Sequence, residues 1–159
     1  MTIDGSEFRR VLGHFATGVT VVTADTPDSP VGMAIGSFSS VSLDPPLVMF
    51  CPGKESSTWK SIRESGSFCV NVLGHHQKDV CGQFASKDPD KFAGVEWTAG
   101  TTGSPILADA IAWIDCTVHA VHDGGDHDIV VGLVKALDGD AHHGPLLFFK
   151  GGYGRYEDL

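Results

Sequence analysis

Positive charge is scarce in this chain: 11 Lys and Arg stand against 20 Asp and Glu over 159 residues. Phosphate backbones are gripped by clustered cations, and no such cluster is present, which argues against a nucleic-acid surface. Long apolar runs are missing too. No stretch approaches the roughly 18 residues a bilayer span needs, and the start MTIDGSEFRR has no apolar signal core, so a cytoplasmic protein without a membrane segment is expected. The usual nucleotide signatures are absent: neither G-x-x-x-x-G-K-[ST] nor a G-x-G-x-x-G after a strand occurs. Without a G-x-S-x-G elbow, a serine hydrolase has no anchor. No C-x-x-C joins Cys51, Cys69, Cys81 and Cys116, so spacing suggests neither a zinc site nor a redox disulfide. Three of them lie in apolar runs (VMFC, FCVNV, IDCTV), where a free cysteine acts as a small buried hydrophobe. No repeat, low-complexity tract or linker interrupts the chain. An apolar content of 42% at this length predicts one domain over residues 1–159 with a real core.

What is present reads as short elements. Phe8, Val11, Leu12 and Phe15 recur at helical spacing, with Gly18 placed to end the helix. VTVVTA, then the turn-rich DTPDSP, then VGMAI reads as a β-hairpin, and LVMFC follows as a third strand. SSTWKSIRES predicts a helix capped by Ser56 or Ser57, with Trp59 and Ile62 on one face. SFCVNVL is a fourth strand and HHQKDVCGQFAS a further helix. Along residues 111–121, Ala112, Ile114, Cys116, Val118 and Ala120 share one face, and Trp113, Asp115, Thr117 and His119 share the other, predicting a half-buried strand. DGGD turns the chain, IVVGLVKAL returns, and PLLFFKGGYGRY adds a last strand with a glycine-rich tail. Six or seven strands without regular βαβ alternation suggest a closed or partly closed antiparallel barrel, mainly β with short helices.

Two stretches carry candidate chemistry. HDGGDHD gathers His122, Asp123, Asp126, His127 and Asp128, ligand types for zinc or non-haem iron, and a metal-dependent oxygenase using His122, Asp126 and His127 is one reading. A polar hairpin turn is the other. The pairs His75-His76 and His142-His143 are weaker, because adjacent side chains diverge. GSFSSVSLDPP places Ser37, Ser39, Ser40 and Ser42 at the exit of an apolar run. Backbone N–H groups and hydroxyls there can be presented together. KESST adds Lys54, Ser56, Ser57 and Thr58 at a predicted helix start, where the dipole favours a phosphate. Two separated donor clusters suit a long phosphorylated ligand such as a flavin nucleotide. Simple capping and turn formation account for the same serines.

Taken together, GVTVVTA, GMAIGSFSSVSLDPPLVMFCP, SSTWKSIRESGSFCVNVL, FASKDPDKFAG, GDHDIVVGLV and PLLFFKGGYGRY resemble the small flavin reductases that serve two-component flavin-dependent monooxygenases, in order and over nearly the whole chain. The resemblance implies a Greek-key split β-barrel and a homodimer with flavin near the subunit interface. It also implies reduction of FMN or FAD by NADH, with NADPH as the alternative donor, and delivery of reduced flavin to a separate oxygenase component. By motif, Met33, Ala34, Ile35, Gly36, Ser37, Phe38, Ser39 and Ser40 would line the isoalloxazine and ribityl chain. Lys54, Ser56, Ser57 and Thr58 would face the phosphate; Phe84, Ala85, Ser86, Lys87 and Phe92 would close the pocket. His127, as the catalytic candidate, and Gly152, Tyr153 and Arg155 would lie on the nicotinamide side. The rival of another class is a flavin-binding or carrier protein without reductase activity, since fold does not fix function.

Overall fold

The computed structural model describes residues 2–140 and 142–159. Three helices and twelve strands follow in the order α1 (Gly5–Leu12), β1 (Thr17–Gly18), β2 (Thr20–Ala24), β3 (Val31–Ile35), β4 (Ser39–Ser42), β5 (Leu47–Phe50), α2 (Ser57–Ser65), β6 (Ser67–Val72), α3 (Lys78–Ala85), β7 (Trp97–Ala99), β8 (Pro105–Leu107), β9 (Ala112–Gly124), β10 (His127–Gly139), β11 (Leu146–Phe149) and β12 (Gly152–Arg155). The chain is mainly β, and every strand pairing among the described residues is antiparallel. A seven-stranded sheet runs β3-β2-β6-β9-β10-β5-β4; β1, β11 and β12 form a second sheet, and β7 with β8 a third. No described helix is long and apolar enough to cross a membrane.

Sheet order and chain order together dictate curvature. Strands β3 and β4 are the two edges of the large sheet, yet only residues 36–38 join them. In a flat sheet six spacings would separate these edges by about 29 Å. The four steps from Ile35 to Ser39 reach at most about 14 Å. The sheet must therefore coil strongly, bringing its edges toward each other. Inside the coil, Val22, Ile35, Val48, Phe50, Trp59, Ile62, Phe68 and Val130 form one core cluster. Phe50 anchors it edge-on to Trp59 at 5.9 Å and to Phe68 at 4.9 Å. A second cluster, with Val19, Val21, Leu73, Cys81 and Phe84, lies under α3. Strand β2 serves both, because alternate residues point to opposite faces and both faces are covered.

Several elements differ from the sequence expectation. Helix α1 stops at Leu12, capped by Gly13 rather than Gly18, so Phe15 lies beyond it. Its apolar side faces outward, with Phe8, Val11 and Leu12 about half exposed and no residue of the helix buried. HHQKDVCGQFAS divides into a 3₁₀ turn, His75–Gln77, followed by α3. The serine-rich segment is partly a strand: Ser39, Ser40 and Ser42 pair with β5 across a turn holding both prolines, and Val41 is the bulged residue. Strand β9 is covered on both sides at its centre, so it is not simply half buried; Asp115 and Cys116 are both fully buried. Thr102 donates to Asp115 through its N–H at 2.8 Å and its hydroxyl at 2.6 Å. The β9–β10 turn consists of Gly125 and Asp126 alone, with Gly125 at φ +84, so His122, Asp123, His127 and Asp128 belong to strands. The last strand divides into β11 and β12 about Lys150 and Gly151, both at positive φ.

Candidate functional site

Two separated sequence motifs meet at one cavity. It has a volume of about 610 Å³ and is lined by Val31 and Gly32 of β3, by Ser56, Ser57 and Thr58 at the start of α2, and by Ser86, Lys87, Lys91 and Phe92 of the loop after α3. Ser56 caps α2, its Oγ accepting from Trp59 N–H at 3.1 Å. The backbone N–H groups of Ser57 and Thr58 precede the first intrahelical donor, which leaves them for a ligand at the positive end of the helix dipole. Lys91 Nζ sits 3.4 Å from the Gly32 carbonyl, and partial burial pushes its pKa below the usual lysine value. Glu55, Asp88 and Asp90 also line it, so the cavity carries both anionic and cationic groups.

The loop bearing Lys87, Lys91 and Phe92 is held from α3. Gln83 Nε2 donates to Lys91 O and Ala93 O, both at 2.8 Å, and Ser86 Oγ donates to Gln83 O at 2.7 Å. Phe84 is buried under Gly32 and packs edge-on to Phe92 at 4.9 Å. It therefore supports the cavity from beneath, through Gly32 and through Phe92 of the lining. Ala85 is exposed and lies outside the lining.

The serine-rich segment lines a separate groove. Ile35 is buried in the core, and Met33 and Phe38 pack on the same cluster. Ala34 packs on the second cluster. Ser37 Oγ accepts from Cys51 N–H at 2.9 Å and lies 3.2 Å from Cys51 O, which ties the β3–β4 connection to the end of β5. Ser39 Oγ donates to Ser40 O at 3.0 Å. Gly36, Ser37, Phe38 and Ser39 line a mostly apolar groove of about 510 Å³ with Phe15, Ala16 and Thr17. These residues and the α2 cavity are not brought into one pocket within the chain.

Lys54 and His127 belong to a clamp between the segment before α2 and the tip of the β9–β10 hairpin. Lys54 Nζ donates to the Asp123 carboxylate and to Gly125 O, and the bond with Asp123 raises the lysine pKa and lowers that of the carboxyl. Lys54 thus faces the hairpin, and Glu55 stands beside the three hydroxyl residues in the cavity. Lys54 N–H donates to Asp126 O at 3.0 Å, and Gly53 bridges His127. His127 is half exposed, with its Nδ1 2.7 Å from Asp126 Oδ1; that hydrogen bond holds the Asp126 carboxyl below its ordinary pKa. Among the described residues, no group of three His, Cys, Asp or Glu is placed to hold a metal ion.

Gly152, Tyr153 and Arg155 lie in the exposed β12, in the sheet that does not include β10. Tyr153 leans on α3: its phenol oxygen is 3.5 Å from Cys81 Sγ, and Lys78 Nζ stands 5.6 Å from its ring centroid. The contact with Cys81 raises the pKa of the phenol. Three features went unread in the sequence: Gly32, Lys91 and the Gln83 support. A glycine within the apolar run VGMAI is a sign of close approach, and Lys91 lies within the family-like stretch FASKDPDKFAG.

Residues 12–157 match the family described as flavin reductase like domain. The chain belongs to that family. It is 54% identical over 153 residues to the reductase subunit HsaB of a flavin-dependent monooxygenase from Mycobacterium tuberculosis, covering 95% of this chain and 82% of that protein. The crystal structure of nitrilotriacetate monooxygenase component B from Mycobacterium thermoresistibile superposes with a TM-score of 0.93 at 52% identity, over 96% of this chain and 86% of the other. The NADH:FAD oxidoreductase SgcE6 of Streptomyces globisporus C-1027, in complex with NAD and FAD fragments, gives a TM-score of 0.92 at 37% identity, covering 99% and 97%. The hydroxyls, helix-start amides and two lysines of the cavity at the start of α2 are donors of the kind a flavin phosphate needs, beside three carboxylates.

Proposed function

We propose that this flavin reductase-like chain acts as one domain, an NAD(P)H-dependent flavin reductase that supplies reduced FMN or FAD to a separate monooxygenase component. The observation that carries the reading is the cavity joining Ser56, Ser57 and Thr58 to Lys87, Lys91 and Phe92, in a chain of this family. The α2 amides and the lysines would hold the phosphate, and Gly32 leaves room for the ribityl chain to pass β3. The open part of the segment, Gly36 to Ser40, would meet the isoalloxazine, with backbone donors near its N1 and O2 edge, while Met33, Ala34 and Ile35 pack inside the chain. Hydride transfer from nicotinamide to flavin is chemistry that the bound groups supply. The protein's task is to stack and orient them and to exclude water, and for this no acid–base dyad is needed. His127, over Gly53 and held by Asp126, would orient the nicotinamide carboxamide.

The strongly coiled sheet with unpaired edges supports a split β-barrel. A homodimer is supported by the uncovered apolar side of α1, the exposed Phe148 and Phe149 of β11, and the apolar groove beside Phe38. A second copy seated there would bring a second chain against residues 36–39 and offer its β12 tail to the nicotinamide side. The names of the relatives support NADH as donor and an oxygenase as recipient.

The test is to mix the purified protein with FMN or FAD and NADH or NADPH and to follow the nicotinamide absorbance. Consumption above the protein-free control is expected with NADH. If neither nucleotide is consumed faster than in the control, the reductase reading is wrong. His127→Ala should raise the nicotinamide KM; unchanged turnover and KM would remove His127 from the site.

A further inference from the structure

Asp128 is buried at 8% exposure, and its Oδ2 accepts from the indole Nε1–H of Trp59 at 2.8 Å. Arg63 Nη1 reaches the same oxygen at 3.9 Å from the exposed side. Across the ladder Asp128 stands opposite Asp123, which is taken by Lys54. Asp128 N–H donates to Pro52 O at 3.0 Å. Trp59 is itself 2% exposed, and its backbone N–H is the donor that Ser56 caps. One residue therefore links both parts of the site: through its backbone Asp128 follows His127, and through Trp59 it reaches the cap of the helix whose start lines the cavity.

A buried carboxylate is costly, because the desolvation of a charge is repaid only by well-placed partners. Filling this space with an apolar side chain would pack Trp59 without that cost. What the carboxylate adds is direction: one acceptor fixes the rotation of the indole and hence the setting of α2 against β10.

We infer that Asp128 is a positioning residue, which holds the α2 phosphate-binding start in register with His127 through the Trp59 indole. The inference rests on the flavin reductase reading, and its test separates the two. Wild type, Asp128→Ala, Asp128→Asn and Trp59→Phe are compared by FMN titration through quenching of flavin fluorescence, by steady-state NADH oxidation and by thermal unfolding. Asp128→Ala should weaken FMN binding and raise the flavin KM about tenfold, with kcat changed less than about threefold. Trp59→Phe, which keeps the buried ring but loses the donor, should do the same. Asp128→Asn keeps an acceptor oxygen and should return the KM to within about threefold of wild type. The double variant Trp59→Phe with Asp128→Ala should be no worse than Asp128→Ala alone. A lowered Tm in Asp128→Ala with unchanged FMN affinity and KM would assign the pair a purely structural role and overturn the inference. So would additive effects in the double variant. If wild type binds FMN but oxidises no NADH, the reductase reading fails, and the affinity series still decides for or against Asp128. Absence of FMN binding by wild type overturns both.

Discussion

Gly32→Ala tests whether the cavity floor is as tightly built as its geometry indicates. A Cβ at Gly32 would lie 2.7 Å from Cε1 and 2.9 Å from Cδ1 of Phe84, where carbon atoms normally keep about 3.5–4.0 Å. Gly32 lies within a strand and does not have positive φ, so the backbone itself accepts alanine. Without the clash the substitution would stabilise by roughly 0.5–1 kcal/mol, through the lost freedom of glycine in the unfolded chain. With it, overpacking costs about 1–3 kcal/mol. Phe84 cannot yield easily, being 1% exposed and packed edge-on to Phe92. The net expectation is a loss of about 1–2 kcal/mol. For a chain of this length that lowers Tm by about 2–8 °C. Because the ring that must move supports Phe92 on the cavity wall, FMN affinity should fall in the same variant. Adding Phe84→Leu removes the ring edge, so the double variant should be less destabilised than the sum of the two single changes. Thermal unfolding and a flavin titration measure both effects. A Gly32→Ala protein with raised Tm and unchanged FMN affinity would refute the reasoning, since the sign of the change depends on the contact.

Ser56→Ala removes the acceptor of the Trp59 N–H. It should cost about 1 kcal/mol in chemical denaturation and weaken FMN binding; no change in either would mean that the cap orders nothing. Burial raises the thiols of Cys69 and Cys116, the latter to about 12, and partial burial raises that of Cys51. Thiolate, the reactive form, is thus suppressed in the folded state. A thiol reagent at pH about 8 should label at most Cys51 within minutes and all four cysteines after denaturation, and rapid labelling of a second one would contradict the packing. The hydrogen bond from Lys54 lowers the pKa of Asp123, so the stability this pair contributes is present above the unfolded carboxylate value and is lost as pH falls through the depressed folded value. The protection factor of the Lys54 amide, whose N–H bonds Asp126 O, should hold down to the ordinary carboxylate range of about pH 4 and fall only below it. In Asp123→Asn this pH dependence should vanish; protection lost already near neutral pH in wild type would disprove the clamp.

Features set by neighbours in sequence were legible, and those set by distant partners were not. A serine cap at Ser56 or Ser57, which the structure resolves to Ser56, and Trp59 and Ile62 buried on one face of α2 follow from helical spacing within ten residues. The hairpin from β2 to β3 follows from a β-branched run and an apolar run on either side of a turn-rich connection. Periodicity also marked the apolar face of α1, but a period tells that a face exists and not what covers it. That face points outward in the single chain. Lys54 illustrates the opposite limit. Its place beside Ser56 and Ser57 suggested a phosphate ligand, yet its ammonium is taken by Asp123, 69 residues away.

Asp115 makes the physical reason plain. Alternation along β9 put it on the polar face, because a carboxylate normally demands water. Water is replaced by the loop before β8, where Thr102 supplies an N–H and a hydroxyl to the two carboxylate oxygens. Asn71 does the same work next to it, donating to Val21 O and Thr23 Oγ1 and accepting from Leu107 N–H at 2.9 Å. Each of these polar groups would be expensive to bury alone, and together they pin the β7–β8 segment onto the outside of β2, β6 and β9. The same logic governs Asp128 on the opposite flank: in both places an acidic residue inside a strand marks where a distant segment docks. Binary patterning scores such residues as solvent-facing, so it misses the contacts that fix how the loops lie on the sheet. In this chain those contacts include the link between the α2 cavity and His127.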